Sequence, residues 1–150
     1  MIAARFIKME AVEKYMINPT LMMGTVKSNE DNQVIINLRG RLGLITVPEK
    51  MIQTSEKVEA GTKLAFYFSY IQTVSRPLDY DDTELMQQQE LFPCLLGGKI
   101  IHVDDTAVRV AINQELGTIY VPRRWMFTSV KLTEGLAVEF YFSKMTIQKK

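Results

Sequence analysis

Two stretches of this 150-residue chain, LGLITVPEKM at residues 42–51 and LGTIYVPRRW at residues 116–125, carry the same pattern of Leu, Gly, Ile, Val and Pro. When Pro48 is aligned on Pro122, residues 19–73 match residues 93–147 without a gap, and 18 of the 55 aligned positions are identical. The identities are concentrated on glycines, prolines and apolar residues, so turns and apolar positions keep register together. The chain is therefore interpreted as a tandem duplication of one small unit.

The sequence pattern of each copy predicts four β-strands, because β-branched and aromatic residues alternate with polar ones in short runs bounded by turn-forming residues. Pro48 and Pro122 end the third strand of each copy, since proline has no N–H to give to a sheet. The predicted strands are GTVKS (24–28), QVIINL (33–38), LITVP (44–48) and GTKLAFYFSYIQTV (61–74), then GKIIHV (98–103), AVRVAI (107–112), TIYVP (118–122) and GLAVEFYFSKMTI (135–147).

Strand alternation separates an inner face from an outer face, because successive side chains point to opposite sides. The residues predicted to face inward are Val34, Ile36, Leu38, Ile45, Val47, Phe66 and Phe68, with Val108, Val110, Ile112, Ile119, Val121, Phe140 and Phe142. Those predicted to face outward are Ile35, Asn37, Arg39, Thr46 and Tyr67, with Arg109, Ala111, Asn113, Tyr120 and Tyr141.

These patterns predict an all-β protein with minor α, made of two tandem small β-barrels, OB-like and related by internal duplication. We place the first barrel with its N-terminal segment at residues 1–73, an acidic linker at 74–92 and the second barrel at 93–150. The segments MEAVEKYMIN (9–18) and DDTELMQQQELF (81–92) are candidate helices, the second with Asp81 or Asp82 as its cap.

Composition narrows the classes of function. A hydrophobic content of 47% and a charged content of 23% are typical of a globular protein. The lone Cys94 has no partner for a disulfide, and the lone His102 has no neighbours for a usual zinc site, so we expect a reducing, cytoplasmic setting and no metal or cofactor. We expect neither a signal peptide nor a membrane segment. The net charge of +1 provides no global field, so nucleic acid would need a local patch.

The segment YVPRRWM (120–126) is the best candidate for such a patch. Arginine pairs with phosphate in a fork, and tyrosine and tryptophan offer faces for base stacking. The candidate residues are Tyr120, Arg123, Arg124 and Trp125, with Arg109 on the neighbouring strand. In the alternative interpretation, Trp125 packs over the barrel end and both arginines are merely solvated.

Two further surfaces are candidates. Arg39 and Arg41 make a basic hairpin tip in the first copy, although charges beside a hairpin glycine also serve solubility. The matching FYFS segments place Tyr67 and Tyr141 on the outer face, where they predict an interface between the two units or with a second chain.

The arrangement of Gly24, Val34, Gly43, Pro48 and Gly61, repeated at Gly98, Val108, Gly117, Pro122 and Gly135, resembles the OB-fold RNA-binding module repeated in the largest protein of the bacterial small ribosomal subunit. A second resemblance is to the swapped-hairpin barrels of transition-state regulators. In the RNA-binding family, an aromatic pair on the second and third strands stacks bases. The matched positions hold Ile35 and Thr46 in the first copy, and Arg109 and Tyr120 in the second.

The sequence contains no enzyme motif, since phosphate-binding loop, zinc-protease and paired-cysteine patterns are all missing. We therefore predict a non-enzymatic binding module, with single-stranded RNA as the ligand that the resemblance implies. The alternative is a protein-interaction or assembly module that forms a homo-oligomer and binds no nucleic acid.

Overall fold

The computed structural model describes residues 17–148, and β-strands form half of this part of the chain. The strands are β1 (Thr20–Glu30), β2 (Gln33–Leu38), β3 (Leu44–Pro48), β4 (Ile52–Gln53), β5 (Lys63–Phe68), β6 (Ile71–Thr73), β7 (Cys94–Val103), β8 (Ala107–Ile112), β9 (Gly117–Pro122), β10 (Met126–Phe127), β11 (Ala137–Phe142) and β12 (Met145–Ile147). One short helix, α1 (Thr83–Gln87), and 3-10 turns at Glu49–Met51, Asn113–Glu115 and Arg123–Trp125 complete the described elements.

The predicted fold class, all-β with minor α, is confirmed. Strands β1–β6 of the first copy correspond in order to β7–β12 of the second. The helix predicted at 81–92 is shorter, because only Thr83–Gln87 is helical, and Asp81 accepts a hydrogen bond from the Thr83 N–H at 2.9 Å. For the other candidate helix, residues 9–16 lie outside the described residues, and 17–18 are not helical.

Strand pairing joins the two copies into one sheet. Within the copies the orders are β3-β2-β1-β5 and β9-β8-β7-β11, all antiparallel. The copies meet where β3 pairs with β9, with Ile45 opposite Ile119, and where β5 meets β11, with Phe68 opposite Phe142. Each of these contacts pairs a residue with its own counterpart, so the copies are related by a pseudo-twofold axis.

The last strand of each copy pairs with the other copy, which the sequence did not predict. Strand β6 pairs with β11 and β10, and β12 pairs with β5 and β4. Because each copy completes the sheet of the other, the repeats share one hydrogen-bonded structure.

All residues predicted to face inward are buried, with relative exposures from 0% to 5%. Phe66, Phe68, Phe140 and Phe142 meet near the axis, where Phe68 and Phe142 lie edge to face with ring centroids 5.9 Å apart. This geometry is favourable for aromatic rings, and it joins the apolar layers of both copies into one core.

Two glycines allow strands β3 and β9 to approach each other closely. Gly43 has a φ of +100° and Gly117 a φ of +124°, and a Cβ at either position would overlap a backbone carbonyl oxygen, that of Tyr120 or Thr46 respectively. Both duplicated glycines are therefore required by the contact between the copies as well as by the turn.

The linker packs across both copies. Tyr80 is buried against Gly97 of the second copy, and its hydroxyl donates a hydrogen bond to Glu139 at 2.7 Å. Burial is the main cause that raises the pKa of Tyr80 well above its ordinary value. At the C-terminal end of the linker, the Gln53 side-chain amide donates to the Gln88 carbonyl at 2.7 Å.

In residues 17–148, no helix is long and apolar enough to cross a membrane.

Candidate nucleic-acid interface

Arg109 and Tyr120 form the centre of the candidate surface. They lie opposite each other on β8 and β9, and the Arg109 guanidinium carbon is 4.9 Å from the centroid of the Tyr120 ring. Alternation points both side chains outward, so Arg109 is exposed and Tyr120 is half-buried. The pair places a positive charge over an aromatic ring on the outer face of the sheet.

Asp104, in the turn before β8, fixes Tyr120 of this pair. Its Oδ1 accepts hydrogen bonds from the N–H groups of Thr106 and Ala107 at 2.9 and 2.7 Å, and its Oδ2 accepts one from the Tyr120 hydroxyl at 2.8 Å. The Thr106 N–H, followed by the Tyr120 hydroxyl, lowers the pKa of Asp104 to about 2. The same hydroxyl bond raises the pKa of Tyr120. Tyr120 is consequently held in one orientation by an ionised carboxylate.

The turn after β9 sends three consecutive side chains to three different segments. Arg123 donates to the carbonyl of Asp104 at 2.8 Å, and Arg124 donates to the carbonyl of Arg41 at 3.4 Å. Trp125 donates through Nε1 to the carbonyl of Ser69 at 2.9 Å. Arg123 therefore joins the Asp104 cluster, whereas Arg124 joins the hairpin of the first copy.

Trp125 belongs to an aromatic stack. Its ring lies 4.0 Å from Tyr70 at an angle of 29°, and Tyr70 lies 4.4 Å from Phe127 at 15°. Trp125 is partly buried against the core, and its counterpart Met51 in the first copy is fully buried. These contacts occupy Trp125 with packing, so the structure does not bring it together with Arg109 and Tyr120.

Arg39 and Arg41 lie on the exposed hairpin between β2 and β3. Arg41 has a φ of +58° and follows Gly40 at +81°, as a tight turn requires. Within residues 17–148, no carboxylate lies within 4.0 Å of the charged groups of Arg39, Arg41, Arg109 or Arg124. These cations are therefore not neutralised by ion pairs in the described part of the chain.

Tyr67 and Tyr141 are half-buried on β5 and β11, opposite Leu21 and Leu95. Their backbone N–H groups donate hydrogen bonds to serines of the opposite copy, so strands β5 and β11 bring the copies together. The side chains in the contact are nonetheless the inward phenylalanines and the serines. Leu21 is 56% exposed beside Tyr67, which leaves an apolar spot there.

Sequence reasoning overlooked Asp104 as the group that orients Tyr120, and Ser69 and Ser143 as contacts between copies. The serines carried a signal, since they are identical at aligned positions directly after FYF. Asp104 carried none, because an aspartate in a polar turn is common for reasons of backbone bonding alone.

His102 lies beside two carboxylates, with nitrogens 3.9 Å from Asp104 and 4.0 Å from Glu134. It is 54% exposed and lies opposite Arg109 on the neighbouring strand. Among residues 17–148, no group of three or more His, Cys, Asp or Glu side chains is arranged to hold a metal ion.

Comparison with known proteins finds little. No family model matches the sequence, and no curated protein matches it. Among solved structures, a molybdate-bound crystal form of the cytoplasmic molybdate-binding protein ModG is similar, with 16% identity over 87% of this chain and 96% of that chain. The TM-score is 0.30, so the superposition carries no argument about a ligand of this chain.

Proposed function

We propose that this protein is a non-enzymatic, cytoplasmic binding module that takes single-stranded RNA on the outer face of β8, β9 and the turn that follows. The observation that carries the proposal is the Arg109 guanidinium lying over Tyr120, 4.9 Å from the ring centroid. A guanidinium plane stacks on a base, and its charge attracts the phosphates of the RNA backbone, which is why arginine beside an aromatic ring suits unpaired nucleotides.

The surroundings of the pair support an anionic ligand. Arg109 makes no ion pair with a described carboxylate, and Arg123 and Arg124 are exposed at the end of the same strand β9. Asp104 opposes binding by its charge, yet both of its oxygens are already engaged by hydrogen bonds from the protein. Because the net charge of the chain is only +1, we expect modest affinity that depends on this local patch.

Binding is tested by the fluorescence anisotropy of a labelled, mixed-sequence RNA of about 12 nucleotides, within the range of OB-fold site sizes. With about three phosphate contacts, raising the salt concentration from about 50 to about 200 mM weakens binding roughly 10- to 20-fold. No binding at low salt, or binding insensitive to salt, contradicts the proposal.

Variants locate the site. Arg109→Ala is expected to weaken binding roughly tenfold through loss of stacking and charge, and Arg109→Lys to retain only part of the affinity because its ammonium has no plane. Lys27→Ala removes one exposed positive charge from β1 of the first copy and serves as the control. Equal losses in Arg109→Ala and Lys27→Ala would indicate general electrostatic attraction without a site.

A second candidate function is assembly through an apolar spot at Leu21 and Tyr67. Leu21 is 56% exposed, and its strand partner Tyr67 is half-buried beside it. Light scattering of the free protein tests this function. A dimer that dissociates on Leu21→Ser or Tyr67→Ser, and persists in Tyr141→Ser, supports it. A monomer at all concentrations excludes it.

A further inference from the structure

The two sides of the β3–β9 junction, which the pseudo-twofold axis relates, carry different charges. Arg41 aligns with Glu115, and Arg124 aligns with Lys50. One side of the junction therefore carries two arginines, while the equivalent side carries a lysine and a glutamate. The backbone pairing of β3 with β9 is the same on both sides of the axis. The two sides therefore differ in their side chains and not in the strand pairing.

The backbone brings Arg124 beside the hairpin that carries Arg41. Gly43 lets the β2–β3 hairpin approach Tyr120 so closely that any side chain there would overlap the Tyr120 carbonyl oxygen. Arg124 then reaches across the junction, and its Nη2 donates to the Arg41 carbonyl at 3.4 Å. The hydrogen bond anchors one edge of the Arg124 guanidinium to the hairpin that carries Arg41.

Neighbouring cations that lack a counterion repel each other, and a bound anion relieves that repulsion. Arg41 and Arg124 are both exposed, and no carboxylate of residues 17–148 lies within 4.0 Å of either guanidinium. Asp104 accepts the Arg123 hydrogen bond through its backbone carbonyl, and its carboxylate already accepts hydrogen bonds from Thr106, Ala107 and Tyr120. The ligand expected between two guanidinium groups is a phosphate, which arginine binds with its fork of N–H donors.

We propose that Arg41 and Arg124 form a phosphate clamp across the repeat junction, and that a single RNA strand on Arg109 and Tyr120 continues over this clamp. The clamp rests on the proposed function. Strands β8, β9 and β3 are neighbours in the sheet. Between Arg109 and the clamp, the RNA therefore crosses about two spacings between β-strands, each of about 4.8 Å. One RNA strand thus contacts both copies of the duplication.

The test uses the full-length protein with Arg41→Ala, Arg124→Ala and the double variant, and labelled RNAs of about 4 and about 12 nucleotides, within the site sizes of OB folds. Each single variant is expected to weaken binding of the longer RNA roughly 5- to 10-fold, as loss of a phosphate contact does. The double variant should bind only slightly more weakly than either single variant, because both arginines hold one phosphate. The shorter RNA should lose affinity in Arg109→Ala but not in Arg41→Ala.

Lys50→Ala is the matched control, because it removes a positive charge at the position equivalent to Arg124. It is expected to change the affinity less than twofold, as a surface charge outside the contact does. Arg124→Lys keeps the charge without the fork and should restore only part of the affinity.

The outcomes separate the two proposals. If Arg109→Ala weakens binding while Arg41→Ala and Arg124→Ala do not, the clamp is overturned and the proposed function stands. Fully additive losses, or a loss in Lys50→Ala equal to that in Arg124→Ala, also overturn the clamp. If inorganic polyphosphate competes as well as RNA of equal charge, the assignment to RNA is overturned. Wild-type protein that binds no RNA at low salt overturns both proposals.

Discussion

Ser69 and Ser143 connect the two repeats by reciprocal hydrogen bonds. The Ser143 hydroxyl oxygen accepts the N–H of Tyr67, and the Ser69 hydroxyl oxygen accepts the N–H of Tyr141, each at 2.8 Å. Each hydroxyl also donates to the carbonyl of the residue that follows it, Tyr70 or Lys144, at 2.8 and 2.7 Å. Both serines are 0% exposed, so each supplies a buried partner to a backbone group of the other repeat.

Replacing either serine should destabilise the whole molecule. Ser69→Ala and Ser143→Ala each leave a backbone N–H without its hydroxyl partner, at a cost of about 1–3 kcal/mol. Urea unfolding measures the loss. The control is Ser55→Ala, since Ser55 and its counterpart Ser129 are also duplicated but are exposed. A cost below about 0.5 kcal/mol for the buried serines, as at ordinary surface sites, would mean that these bonds contribute nothing to joining the copies.

The glycines at the β3–β9 contact should tolerate no side chain. Gly43→Ala and Gly117→Ala place a Cβ against a carbonyl of the opposite copy, so we expect a loss above about 4 kcal/mol or failure to fold. Gly40 and Gly61 also have positive φ but nothing within 4 Å of a Cβ, and alanine there should cost only about 1–2 kcal/mol for the left-handed backbone. Melting temperatures of the four variants check this. Equal losses of stability at all four glycines would contradict the claim that close backbone approach requires glycine at positions 43 and 117.

The sequence predicted four of the six strands of each copy in outline, and both faces of the sheet, because those features depend on local alternation and on turn residues. It missed β4 and β10, and it joined β5 to β6 and β11 to β12 as single strands. Val34, Ile36 and Phe66 are buried as expected, while Ile35 and Tyr67 are less buried on the other face. Alternation says nothing about which strands meet between copies. The pairing of Ile45 with Ile119, and the exchange of β6 and β12, arise from tertiary contacts that only the folded chain defines.

The candidate site was predicted less completely. Arg109 and Tyr120 share a surface because neighbouring strands with the same alternation place them side by side. The side chains of consecutive residues in a 3-10 turn point in different directions. Trp125 therefore donates a hydrogen bond to Ser69, while Arg124 donates one to Arg41. Arg41 was treated as part of a separate hairpin, since 83 residues separate it from Arg124 in the chain.

Asp104 should make the stability of the fold depend on acid pH. Its pKa in the folded protein is about 2, below the ordinary value of 3.8, so the fold favours the ionised carboxylate. This stabilisation is complete above about pH 4 and is lost as the pH falls through about 2. Urea midpoints at about pH 5, 3 and 2 should show a smaller decline for Asp104→Asn than for wild type. Asp105→Asn is the control at the exposed neighbouring aspartate, and its profile should follow that of wild type.

Trp125 should report on folding and not on RNA. It is the one tryptophan of the chain, and Tyr70 covers a face of its ring at a centroid distance of 4.0 Å. We therefore expect RNA at saturation to leave the tryptophan emission maximum unchanged, while urea shifts it to longer wavelength. Trp125→Ala should cost about 2–3 kcal/mol, less than a fully buried tryptophan, and leave RNA affinity within twofold of wild type. Arg109→Ala should show the reverse pattern, with weaker binding at nearly unchanged stability. Quenching of Trp125 by RNA, or loss of binding in a folded Trp125→Ala protein, would place the RNA on the aromatic stack instead.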